Sequence, residues 1–379
     1  MHNHPVTRHV LQAMRVWVVA CALLIAACAQ GPATAAKSPD VSVAPSAIAT
    51  PSHMASASAS PSAGGSPGAL SSAPGGRSRA AIAYDEGHSE VVLFGGEGNG
   101  QAGQSGDLSD TWTWTSAGWR LVSDTGPSPR FAASMTYDAA RGVVVLFGGW
   151  TAGSPSNETW TWDGQSWTQQ HPALSPSPRQ VASMAYDAKS QVVVLFGGLN
   201  IPAGALNDTW VWDGVNWQQR HPAVSPSPRI GASMAFDRTR GLATLFGGSS
   251  GQGPAYDGGY RDTWTWDGQA WAQLSPATSP PPRSDAAMAV DESRGVTTLF
   301  GGWSGPQATL IGDTWTWDGA DWTQPDVGPA PSPRLGAAMA YDAASGLVLL
   351  FGGLALVAGS NRFEGDTWLW NGRSWMSQA

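Results

Sequence analysis

The chain has 379 residues, enough for one large domain with additions, and its 28 acidic against 20 basic side chains leave a formal charge of −8. Charged residues make up only 13%, while Gly (47), Pro (28) and Trp (21) abound, which points to a turn-rich β fold and away from a helical one. Lys37 and Lys189 are the only lysines and no basic run occurs, so the chain lacks the concentrated basic face of a nucleic-acid binder, and nucleic acid is excluded as a partner.

Residues 1–15 carry Arg8 and Arg15 but no acid, and Val16–Ala27 follow as twelve apolar residues. That run is too short to cross a bilayer comfortably and fits the hydrophobic centre of an export signal. It ends Ile25-Ala26-Ala27-Cys28, which resembles the bacterial lipoprotein signal. The resemblance implies cleavage before Cys28, a lipidated thiol and a membrane anchor. The alternative is an ordinary secretory signal cut near Ala27. Either places the mature protein outside the cytoplasm. The only other cysteine, Cys21, also precedes residue 30, so the rest of the chain has no thiol chemistry.

Residues 28–76 form the next segment, and after Cys28 they are almost wholly Ala, Ser, Pro, Gly and Thr. Such a stretch holds too little large apolar surface to offset chain entropy, and it reads as a disordered tether. At about 5–6 Å × √n it spans on the order of 40 Å.

From residue 77 to 379 one phrase recurs six times. A double glycine falls at Gly95, Gly148, Gly197, Gly247, Gly301 and Gly352 with the residue after each, at spacings of 53, 49, 50, 54 and 51. Each pair is followed by D-T-W-x-W (E-T-W once) and by a third Trp five positions on. Within Arg179–Gln219, ASMAYD reads as an inner strand with small residues, QVVVLF as a strand buried on both faces, DTWVW as a third strand, and the run around Trp217 as a fourth, polar outward. The Asp213-Gly214 pair marks the last hairpin and Ser-Pro-Ser-Pro the passage to the next unit. A period near fifty with four strands per unit reads as propeller blades. Blades fall at about 77–126, 127–175, 176–225, 226–279, 280–330 and 331–379.

With LFGG in every unit, the chain from Arg77 onward resembles the kelch family of β-propellers. The resemblance implies an all-β, six-bladed propeller of four-stranded antiparallel blades, here preceded by a signal peptide and a disordered linker. It departs from the family in carrying Trp-x-Trp in the third strand. Complete units at both ends imply closure by packing of first against last, with no borrowed strand. Galactose oxidase shares the propeller, but its copper radical needs a Cys that this region lacks. W-D-G-x-x-W also resembles the sialidase Asp-box without its intervening residue, and the arginine cluster such an enzyme needs is missing.

Eighteen of the 21 tryptophans follow the repeat and read as blade-to-blade core rather than as sugar platforms. Arg77, Arg130, Arg179, Arg229, Arg283 and Arg334 form a ring at the start of the first strands. They face two readings: pairing with Asp110, Glu158, Asp208, Asp262, Asp313 and Asp366 at the start of the third strands, or capture of an anion. His171 and His221 precede Pro at equivalent places and are expected to cap turns. No cofactor and no metal are implied, and a monomer is expected.

Function is sought where the repeat breaks. The loops between second and third strands vary from 8 residues (Trp150–Asn157) to 13 (Ser249–Arg261) and define the candidate face. Trp150 and Trp303, just after their glycine pairs where another unit has Glu97, are the only tryptophans there outside the repeat. Arg79 and Asp285, two residues past the repeated Arg, are the odd charges near the channel mouth. These five are the candidate ligand-binding residues. Each Trp either stands exposed as a platform or folds back over its own loop. The expected function is binding of a carbohydrate or protein outside the cell from a lipid anchor. The alternatives are an acid–base enzyme on a sugar, such as the sialic-acid mutarotases found among bacterial kelch propellers, and a purely structural surface protein.

Overall fold

The computed structural model describes residues 73–99, 105–251, 259–305 and 309–378. The signal segment, Cys28 and residues 29–72 of the tether lie outside the described residues. Every regular element among the described residues is a strand.

The third unit shows the pattern. Its strands Ser183–Asp187, Val192–Asn200, Gly204–Trp212 and Trp217–Arg220 pair in chain order, each antiparallel to the last. The same four-stranded arrangement is found six times among the described residues. The first strands, from Ala81–Asp85 to Ala338–Asp342, neighbour one another in sequence, and the last returns to the first. The result is a closed ring of sheets around an axis, each sheet built from consecutive strands.

Burial follows from the strand period. In the second strand Val193, Val194 and Leu195 are all fully buried, because neighbouring units cover both faces. In the first strand Met184 and Tyr186 pack on Val145 and Phe147 of the preceding unit, while Ala185 faces the Met234 cluster of the following one. Large and small side chains therefore alternate across each junction, which is why the inner strands need small residues at every second place.

The junction has one repeated bond. Trp217, the third Trp of its unit, donates its indole N–H to Thr159 of the preceding unit at 2.9 Å and meets Phe147 edge-on, centroids 5.1 Å apart. Every junction repeats this Trp–Thr bond and Trp–Phe contact. Closure uses it too: Trp119 of the first unit donates to Thr367 of the last at 2.9 Å and packs on Phe351 at 5.1 Å.

The glycine pair completes the junction. The second Gly donates its N–H to the carbonyl of the next unit's arginine, from Gly96 to Arg130 round to Gly353 to Arg77. A Cβ on the first Gly would lie 2.5–2.9 Å from that carbonyl oxygen, and the φ there is positive in every unit. The glycine pair is required because a neighbouring backbone occupies the side chain's place.

The bond that closes the ring can be weighed by a double-mutant cycle. Trp119→Phe, Thr367→Val and the pair should show a coupling of about 1 kcal/mol in denaturant unfolding. Additive losses would mean the closing bond adds no stability.

Candidate functional site

The axis has two ends with different chemistry. At the end bearing the strand 2–3 loops, the six arginines of the ring are each about 1% exposed. Each guanidinium is consumed inside its own unit. Arg229 reaches Asp262 at 2.7 Å, with a second bond to its other oxygen at 2.9 Å, and donates to the Gly247 carbonyl at 2.8 Å. The other five pair likewise with Asp110, Glu158, Asp208, Asp313 and Asp366. The same acid accepts the indole N–H of the Trp two residues on, as Asp262 does from Trp264 at 2.7 Å. Burial pushes the Asp262 carboxyl up, but the hydrogen bonds and charge of Arg229 outweigh it and hold the group below its ordinary value. Asp110, Glu158 and Asp366 are held low for the same reasons. Every guanidinium of the ring thus has a carboxylate partner within its own unit.

Two residues past each arginine lies a collar. Arg79, Ala132, Val181, Gly231, Asp285 and Gly336 each accept an N–H from the next around the axis at 2.7–3.0 Å, and the chain of bonds closes on itself. All six sit in the left-handed region, with φ between 49° and 61°. Four carry side chains, so the closed bonding holds a conformation that L-residues otherwise avoid.

Onto this collar the structure brings three of the candidate residues. Arg79 reaches over Gly336 to Asp285, with Nε and Nη2 at 3.2 and 3.3 Å from the two carboxylate oxygens. A Cβ on Gly336 would lie 2.9 Å from Arg79 Cγ, so a bare residue is required beneath the side chain. Trp303 donates its indole N–H to Asp285 at 3.0 Å and is half-buried, so its polar edge faces the axis. Glu97 pairs with Ser78 across the strands and is half-buried. Burial pushes its carboxyl up to about 7; the Arg79 charge opposes this and Asp107 adds to it. Trp150 is set apart in the second unit, half-buried and paired with Pro155 in a short hairpin.

At the other end, beneath the strand 1–2 turns, lies a cavity of about 430 Å³. Its wall carries methionines and aromatic rings of the first strands, and its mouth carries Glu86, Arg238 and Glu292. Arg238 hydrogen-bonds Glu86 from the opposite side of the axis and lies 3.1 Å from Glu292. Sequence reasoning passed over this trio. The signal was present: the residue after the repeated Asp is Ala139, Ala188 and Ala343 in the other units, so these three are the departures. His171 and His221 are exposed, and no hydrogen bond from either ring caps a turn. Among the described residues no three His, Cys, Asp or Glu side chains are grouped to hold a metal.

The raised Glu97 fixes the sign of a pH effect. The folded chain holds this proton more tightly than the unfolded one, so stability falls as pH rises from about 4.5 through about 7. Glu97→Gln should remove that slope and raise the melting temperature above neutral pH. An unaltered profile in the variant would show that Glu97 ionises normally.

Residues 164–353, half of the chain, match the family model described as the KLHDC2/KLHL20/DRC7 Kelch-repeats domain. No curated protein matches the chain. With its repeated four-stranded antiparallel sheets and this match, the chain belongs to the Kelch-repeat family, a family of protein-interaction and binding modules.

Proposed function

We propose that the chain is an extracytoplasmic, membrane-tethered binding module that takes a carbohydrate or a protein on the face of the strand 2–3 loops. The observation that carries this reading is the asymmetry of that face. Its repeated arginines are buried and paired, whereas Arg79, Asp285 and Trp303 break the repeat and are bonded together at the axis. Glu97 stands within the field of Arg79. A flat indole beside a bidentate ion pair offers both apolar area and directed hydrogen bonding to a sugar ring or a protein hot spot. The Val16–Ala27 run, Cys28 and the polar tether support attachment to a membrane by acyl chains. Acid–base chemistry on a sugar stands as the second reading, favoured by the half-buried Glu97, whose carboxyl burial pushes up to about 7 against the opposing Arg79 charge.

A glycan array with the full-length chain, beside turnover assays on the same sample, separates the two. Trp303→Ala and Trp150→Ala should weaken the ligand found by about 1–2 kcal/mol while shifting stability little. If both variants lose stability and keep affinity, the site lies elsewhere. For the anchor, Cys28→Ala should move the protein from the membrane pellet to the soluble fraction; retention in the pellet would contradict it.

A further inference from the structure

The cavity under the strand 1–2 turns carries an inference independent of the reading above, since it lies at the other end of the axis. Five units place an aromatic residue in its lining, Tyr84, Tyr137, Tyr186, Phe236 and Tyr341, with Tyr137 and Tyr186 also packed into their seams, and the fifth unit places Val290 there. Deeper, methionines such as Met135 and Met234 add polarisable thioethers to a wall that is otherwise of mixed polarity. A volume of about 430 Å³ falls in the range that holds small ligands, about 300–1,000 Å³.

The charge around this wall is negative. The first strands end in Asp85, Asp138, Asp187, Asp237, Asp291 and Asp342, all buried. Arg141, Arg240 and Arg294 pair with three of them, and His88 bonds a fourth. Asp187 and Asp342 bond only to backbone amides and, for Asp342, the Ser345 hydroxyl. Glu86 and Glu292 add two more carboxylates at the mouth, against the single Arg238. The phenols register this field. Burial pushes Tyr84 and Tyr137 up, and Asp342, Asp85 and Glu86 push them further.

Arg238 lies across the opening, its guanidinium between the two glutamates. The three side chains are 37–40% exposed. Water screens ion pairs of this kind, so the two contacts add little net stability. We propose that the cavity is a binding site for a small organic cation, an ammonium with an apolar body, and that Arg238 occupies the place of that cation's head when the site is empty. The head would sit between Glu86 and Glu292, and the body among the aromatic rings, which attract cations through their electron-rich faces.

Choline serves as the probe, with 3,3-dimethylbutan-1-ol as its uncharged isostere and acetate as the anion, each titrated calorimetrically into the full chain. Choline should bind about tenfold more tightly than the isostere. Arg238→Gln should tighten choline binding by removing its competitor. Glu86→Gln with Glu292→Gln should weaken it about tenfold at an unchanged melting temperature. Equal binding of choline and isostere, no choline binding at all, or weaker binding in Arg238→Gln would overturn the proposal. Acetate binding that is lost in Arg238→Gln would show an anion site instead.

Discussion

The structure depends on one junction made the same way around the whole ring. At each seam an indole N–H reaches a threonine of the preceding unit, the indole edge meets a phenylalanine, and a glycine amide takes the next arginine's carbonyl. No unit has a free face, because the last unit meets the first by the same three contacts. The motif residues are what this seam requires. The third Trp and the Thr of D-T-W supply the bond, the Phe of LFGG supplies the edge contact, and its glycines make room for the neighbouring backbone. The repeated Arg is held by its own acid so that its carbonyl is aimed at the neighbour. A buried pair of this kind adds little net stability after desolvation, but removal of one partner strands the other. Its service is to register.

With the seams occupied, the two ends of the axis are left free to vary. The collar at one end is held by backbone bonds, so its side chains are not needed for closure, and two of them become Arg79 and Asp285. At the other end the residue after the buried Asp is free in the same sense, and three units use it for Glu86, Arg238 and Glu292. Both ends thus carry a small ion cluster over an otherwise repetitive wall.

Much of the fold was legible because the seam is made by side chains with fixed spacing. The glycine pair and D-T-W-x-W mark the second and third strands directly, and the run ASMAYD carries the small–large alternation of the inner strand. Contacts between units were less legible. Nothing in the sequence near Trp119 shows that its partner is Thr367, 248 residues away. The collar was legible only as a position, two past the repeated Arg: Arg79, Ala132, Val181, Gly231, Asp285 and Gly336 share a φ and a bonding pattern but no side-chain chemistry. At the candidate site, Arg79, Asp285 and Trp303 were found as departures from the repeat, and their mutual bonding follows only from the ring's geometry. The mouth trio is masked in sequence because Glu86, Arg238 and Glu292 are exposed turn residues, where charge is ordinary.

Closed by the same contacts at every seam, the ring should unfold as one cooperative body. Amide hydrogen exchange under native conditions tests it at the seam between last and first units. The Arg79 and Gly353 amides should exchange with the same free energy as their counterparts at the other seams, Val181 and Gly198 among them, and that energy should equal the one for global unfolding. Faster exchange of Arg79 and Gly353 through a partial opening, with the other seams still protected, would contradict the account.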